Sequence, residues 1–389
     1  MQKETPLLII GAGPFGLSMA AYASHHGIDY LLVGKPMEFW QSNMPKGMYL
    51  RSNCDWHLDP ENMYTIDSYL ESRSLTRQDV EPLSLRFYLD YANWFQSKNR
   101  IESWPHYVDC LQYDGRSEGR FVATLDDGRT VVADNVVLAI GFKYFKFIHP
   151  ELTKLFRSDR VSHTCDLVNF EHLSGKRCLI IGGRQSAFEW GALLIESGVS
   201  EVHIVHRHET PKFAVSDWSW VNPLMENLVK DPGWFRHLTA EAKESFNKRM
   251  WIEGRSKLEP WLWQRIQKSN IHLWPNAQVV DCETRPTNDL EVRLDIGVSV
   301  RVDHVIFATG YKVNTTNVPL LVAGNILQKL NSRDGFPILD EQFQTNIPGL
   351  FATSMMATLD FGSFFAFTVS ARAAARIIGP AIEKRLIRL

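Results

Sequence analysis

The stretch LLIIGAGPFGLSMA, residues 7–20, constrains this chain more than any other. Four apolar residues break into Gly11, Gly13 and Gly16, and small and apolar residues then continue as a helix through Tyr22 and His25. A second apolar run follows at residues 29–33. Strand, glycine turn, helix and strand in that order turn a bare GxGxxG into a specific sign of a dinucleotide-binding unit. Gly11 permits the tight turn, Gly13 leaves no side chain in the way of a pyrophosphate, and Gly16 lets helix pack close on strand. Pro14 and Phe15 open the helix, whose free N–H groups and positive dipole end face the phosphates. The acid that usually closes the second strand and grips a ribose is missing. Gly34 stands there, with Glu38 a few residues on.

A second unit of the same kind starts at Arg177, RCLIIGGRQSAFEWGALLIESG, followed by VSEVHIVHRH. Gly182 and Gly183 make the turn, and Gln185, Ser186 and Ala187 open the helix. Arg184 takes the place of the middle glycine, so it either points outward or lays its guanidinium on a phosphate. The second strand ends in His206, Arg207 and His208, with no acid. A cation there suits a ribose 2′-phosphate and favours NADP over NAD, the alternative being a solvated strand end.

Between the units, residues 120–125 and 129–140 alternate around a turn at Asp126, Asp127 and Gly128. They read as a small sheet laid over the first unit, ended by Gly141. Residues 210–265 have a different texture, with Trp218, Trp220, Trp234, Trp251, Trp261 and Trp263 at helical spacing. So dense a set serves as packing within and between domains, or as the wall of a substrate or flavin pocket. Further on, DHVIFATGY (303–311) takes a buried strand into Ala308, Thr309 and Gly310, small residues that let backbone approach a nucleotide. A last strand near 350–352 leads to an Ala-rich helix, about 365–378, with Gly379 and Pro380 as its stop. The expected fold class is α/β, with two Rossmann-like dinucleotide-binding domains.

Composition sets the outer bounds. The chain has 389 residues, 44% hydrophobic and 22% charged, which suits two globular domains. With 42 Lys+Arg against 44 Asp+Glu, a net charge of -2 gives no general attraction to nucleic acid or acidic membrane. No signal peptide and no apolar run of ~20 residues is present, so the expectation is cytoplasmic, with no membrane partner. The five cysteines are dispersed, which argues against disulfide chemistry needing two adjacent thiols. No HExxH, GxSxG or clustered Cys/His set points to a metal or to a serine nucleophile.

With these residues in place, the chain resembles the two-dinucleotide-binding-domain flavoproteins. More narrowly, it is similar to the single-component (class B) flavin-dependent monooxygenases: flavin-containing monooxygenases, Baeyer–Villiger enzymes and lysine/ornithine N-hydroxylases. GAGPFG resembles the family's FAD motif, GGRQSA its NADP motif, and DHVIFATGY the ATG motif typical of N-hydroxylases. FWQSNMPKGMYLRSN, with Trp40, Met48, Arg51 and Asn53, falls where the family lays its chain along the flavin, and SLRFYLDYANWF is similar to the same region. The likeness implies an FAD domain of residues 1–155 and 300–389. The NAD(P) domain, 156–299, is inserted in it and carries the Trp-rich helical segment at about 210–265. Val108, Gly141, Thr309 and Gly310 join the residues of the two turns as expected cofactor contacts. The histidine fingerprint of the first two branches finds its best match at His163, where Arg157, Asp159 and Leu167 depart from it.

The resemblance implies FAD and NADPH as cofactors, and dioxygen with a small molecule as substrates. Reduced flavin would take up dioxygen as a flavin hydroperoxide and oxygenate a nucleophilic, amine-like or other heteroatom substrate. Asn53, then Arg51, are the expected catalytic groups near that oxygen, though each equally suits a loop residue bonded to its own backbone. His57 is a further polar candidate, or a satisfied structural histidine. Two other readings stand: an NADPH-dependent flavoprotein reductase passing electrons to a partner protein or quinone, and a nucleotide sensor without turnover. A homo-oligomer is compatible with all three.

Overall fold

The computed structural model describes residues 2–115, 119–156 and 159–388, so Arg157 lies outside the described residues. The first sheet is built on β1 (Gln2–Ile10), buried from Leu7 onward. Chain reversal at Gly11 sends the helix Pro14–His25 back across it, and β2 (Tyr30–Val33) returns parallel to β1, Leu7 opposite Tyr30. That helix is buried along Pro14–Ala23 because the sheet covers one side and the closing helix the other. β3 (Ser103–Trp104) extends the sheet beyond β2. β4 (Val108–Tyr113), β5 (Phe121–Leu125) and β6 (Thr130–Leu138) complete the order β3-β2-β1-β6-β5-β4.

The expected small overlying sheet is instead part of this main sheet. β6 pairs parallel with β1 from Gln2/Thr130 to Ile10/Leu138. Its near-continuous apolar run explains the placement, because parallel strands are covered on both faces. β5 pairs with the first half of β6, and the strand Leu350–Ala352 takes the second half, opposite Val136–Leu138.

The second sheet holds β7 (Val161–His163), β8 (Arg177–Ile181) and β9 (Glu201–His206), all parallel, with Ile271–Pro275 outside β9. His304–Phe307 lies between β8 and β7. The strand of the ATG motif therefore belongs to the second sheet, and the return to the first lies beyond residue 307 rather than at about 300. A three-stranded antiparallel layer, Val279–Thr284, Leu290–Leu294 and Ser299–Val302, packs over this sheet.

The Trp-rich insert packs mainly on the first domain's core. Trp218, Val221, Leu224, Met225, Leu228 and Met250 join that cluster, while Trp251 and Trp263 stay 51% and 46% exposed. The closing helix also departs from expectation: it spans Ala371–Leu386 and carries Gly379 and Pro380 in its interior. Gly379 is there for space, since a β-carbon would stand 2.0 Å from the Tyr22 ring. It is a packing notch against the first helix, and helix hydrogen bonding runs on beyond it.

Candidate functional site

The first glycine turn forms a cradle. A β-carbon on Gly11 would lie 2.4 Å from the Ala139 carbonyl oxygen, and one on Gly16 1.7 Å from that of Gly11. Gly13 has nothing within 4 Å of its missing β-carbon: it is the open face. From it extends a cleft of about 920 Å³ including its mouth, lined by Gly11, Gly13, Pro14, Phe15, Trp40, Val108 and Gly141. Seven expected cofactor contacts, scattered from 11 to 141, are thus brought onto one cavity.

One end of the cleft lies beyond β2, where a Rossmann unit holds its adenosine. Gly34 (φ 141°) is there because a β-carbon would press on the Ala12 N–H at 2.9 Å. An acid is excluded sterically at this position, and Glu38, which opens the following helix, lines the cleft. It accepts from the Tyr107 hydroxyl and from Lys143 Nζ at 3.2 Å. Burial and Glu38 push the Tyr107 hydroxyl above the usual phenol range, so it stays a donor.

The other end is walled by Trp40, Leu320, Ser354 and Ala366–Thr368. Trp40 stacks on Tyr88 at 4.9 Å, and the Tyr88 hydroxyl is buried without a partner. Ser354 adopts φ 60°, an uncommon state for a non-glycine residue and one that clusters at ligand sites. The Thr353 hydroxyl beside it is likewise buried and unpartnered. Unmet donors, an open glycine face and apolar walls fit a flavin dinucleotide.

Arg51 and Asn53 sit apart from this lining. Arg51 donates to Glu259 Oε1 (2.8 Å), to the carbonyls of Gly254 (2.5 Å) and Glu253 (3.0 Å), and to Ser216 Oγ (2.9 Å). It clamps the insert onto the first domain. Asn53 is half-buried, and its carbonyl accepts from the Trp56 N–H at 3.0 Å. His57 is buried; burial, then Arg372, brings it down to about 3, so it is a neutral acceptor. Met48 packs between the two domains' cores rather than on the cleft. None of the insert's tryptophans lines this cleft; Trp218 packs in the first domain's core, while Trp220 and Trp234 line a separate open pocket within the insert.

The second turn repeats the first. A β-carbon on Gly182 would meet the Ala308 carbonyl oxygen at 2.4 Å, as Gly11 meets Ala139. Gly183 is closed in by His206 and His208. Arg184, at the N-cap of the helix Gln185–Glu196, reaches the insert: Nη1 donates to the Arg255 carbonyl at 2.7 Å, and the guanidinium lies 4.8 Å from the Trp251 ring centre. Burial and the charges of Arg255 and Arg207 hold its pKa below the usual arginine range. Arg184, Arg207 and Arg255 thus gather with no ion pair to a carboxylate among the described residues, a field suited to phosphates. Ser186 is exposed at the helix start, and Gln185 accepts from the Glu259 N–H at 3.1 Å. Exposed Arg207 and half-buried His208 follow β9.

Thr309 bonds the Phe147 carbonyl, and Gly310 (φ 79°) has nothing within 4 Å of its open side. His163 holds this loop in place. Its Nδ1 accepts from the Cys165 N–H at 3.3 Å, so Nε2 donates to the Gly310 carbonyl at 3.1 Å. Burial lowers its pKa and keeps it neutral. Sequence reasoning missed Glu189, which is buried, accepts from the Tyr49 N–H at 2.8 Å and leaves Oε2 unpartnered. Burial pushes it up to about 8. Its signal was an acid on an otherwise apolar buried helix.

Two cradles of one design, each closed by the carbonyl just past the end of a neighbouring strand, define a two-domain dinucleotide-binding oxidoreductase of the flavoprotein type. The chain belongs to the pyridine nucleotide-disulphide oxidoreductase family, whose models match residues 8–248 and 238–361. Its fold is similar to that of the ornithine N-hydroxylase of Kutzneria sp. 744, with TM-score 0.79, 16% identity, and coverage of 98% of this chain and 100% of that one. In sequence it is 24% identical to the L-lysine N6-monooxygenase of Escherichia coli, over 80% of this chain and 78% of that protein. It is also 24% identical to the thioredoxin reductase of Mycoplasma genitalium, over 74% and 79% respectively.

Proposed function

We propose that the protein is an FAD- and NADPH-dependent monooxygenase that transfers one atom of dioxygen to a small nucleophilic substrate, an amine or other heteroatom compound. The observation that carries this reading is the end-to-end likeness in fold to an N-hydroxylase, over 98% of this chain and 100% of that one. FAD supplies the oxygen-activating chemistry once NADPH has reduced it. Gly13 and the first helix start receive its pyrophosphate, Glu38 and Tyr107 its adenosine half, and Trp40 and Thr368 its ring. Arg184, Arg207 and Arg255 receive the NADPH phosphates. Asn53 does not line the cleft; it follows Ser52, which meets Thr368 at the ring end, and is the candidate polar group on the substrate side, while Arg51 acts indirectly by seating the insert. No helix among the described residues is long and apolar enough to cross a membrane. We place the protein in the cytoplasm.

The test is rapid mixing of the NADPH-reduced protein with oxygenated buffer. Return of the oxidised spectrum delayed to seconds with NADP⁺ bound, then hastened by amines, supports the reading. Immediate return with all oxygen released as peroxide, unaffected by NADP⁺ or by any amine, sinks it. The likeness to a thioredoxin reductase favours a second reading, electron transfer to a partner protein or quinone. That outcome would promote it, although the five cysteines are all free and form no Cys-x-x-Cys.

A further inference from the structure

We propose that Arg372 sets the redox poise of the flavin: its buried guanidinium, behind the ring end of the first cleft, stabilises the negative charge FAD acquires on reduction. This rests on the reading that the ring lies at the Thr368 end.

Arg372 is the second residue of the closing helix and 7% exposed. Nη1 donates to the Asp55 carbonyl at 3.0 Å and to His57 Nε2 at 2.5 Å, and Nη2 donates to Asn222 Oδ1 at 2.8 Å. Nε is buried and unpartnered. Every acceptor that touches the cation is neutral. The carboxylates facing it, Asp55 and Glu226, lie outward and are engaged there, Asp55 by Arg77 at 3.0 Å and Glu226 by Arg376 at 2.9 Å. A buried charge without a contacting counter-ion is costly, and it persists where something is there for it to act on.

The cleft provides that. Thr368 lines it together with Phe367, and lies one helical turn before Arg372. Ser52 Oγ meets Thr368 Oγ1 at 3.4 Å, in the loop that goes on to supply Asp55 and His57. Thr368 lines the cleft, and Arg372, four residues on, does not. Reduction by NADPH transfers a hydride to N5 of the ring and releases NADP⁺. The added electron pair leaves a negative charge over N1 and its neighbouring carbonyl. A fixed cation in a site of low dielectric stabilises that product and leaves the neutral oxidised ring nearly unaffected.

The experiment is the midpoint potential of bound FAD, read against a reference dye, for the unaltered protein and for Arg372→Met, Arg372→Lys and Arg376→Gln. Arg372→Met shifts the reduction equilibrium at least tenfold toward oxidised flavin, about 30 mV for two electrons. Arg372→Lys recovers most of it, and Arg376→Gln, whose cation Glu226 already neutralises, leaves the potential in place. An unchanged potential in folded, FAD-loaded Arg372→Met overturns the proposal. If that variant does not fold, the unaltered protein decides. Its reduced flavin should stay anionic to about one pH unit below the point where free reduced FAD takes up its proton. Protonation at the same pH as the free cofactor overturns it. Loss of the monooxygenase reading in favour of the reductase would leave these potentials readable, so the two fail separately.

Discussion

Arg51 and Glu259, 208 residues apart in sequence, meet at 2.8 Å between Nε and Oε1. The rest of the guanidinium is taken up by carbonyls and a hydroxyl of the same insert. Both side chains are mostly buried, 15% and 14% exposed, so removing one partner strands the other. Arg51→Ala should lower stability by about 3–5 kcal/mol, the usual effect of breaking a buried pair. Thermal unfolding reads this directly, and an unchanged midpoint would remove the clamp from the account.

Gly13 and Gly379 make opposite predictions, and neither depends on a left-handed backbone. Gly13 has open space where a side chain would go, so Gly13→Val should fold normally and come off the column with little FAD. Gly379→Ala drives a methyl into Tyr22 and should destabilise by about 1–3 kcal/mol while keeping its FAD, with partial rescue by Tyr22→Leu. Flavin absorbance per protein, measured beside the unfolding midpoint, separates the two. Normal FAD content in Gly13→Val would mean that the cleft is not the FAD site.

The arginine cluster at the second turn bears on cofactor choice. Arg207→Ala should raise the Michaelis constant for NADPH about tenfold or more and leave that for NADH nearly unchanged, since a charge-assisted phosphate contact contributes about 1.5–3 kcal/mol. Equal effects on both cofactors would place the 2′-phosphate elsewhere.

Glu189 gives a pH signature. Its folded pKa, about 8, lies above the unfolded value of 4.5, so the folded state holds the extra proton. Stability from this group is fully present below about pH 4.5 and is lost progressively as pH rises toward 8. Glu189→Gln should therefore gain on the unaltered protein between pH 5 and pH 8, as compared by denaturant unfolding at both values. A difference that does not change with pH would show that Glu189 ionises normally in the folded state.

The motifs with a local cause were legible from the chain alone. Gly11, Gly13 and Gly16 between two apolar runs, and Gly182 with Gly183 between two more, declare strand, turn and helix, because each constraint acts within about fifteen residues. Two dinucleotide units and the cofactor class follow from that. What the fold decided depends on partners far apart in sequence. β6 reads as a separate hairpin until β1 is seen beside it. Gly379 reads as a helix stop until Tyr22 is found against it, and Gly34 reads as a missing acid until Ala12 closes the space. Arg51 and Asn53 have local patterns that suit catalysis or a loop equally, and only the arrival of the insert shows which donors of Arg51 are taken. Glu189 shows in sequence only as an acid on an apolar helix, and Arg372 as an ordinary helix residue. Burial, which no local pattern sets, makes one a raised acid and the other a cation with only neutral contacts.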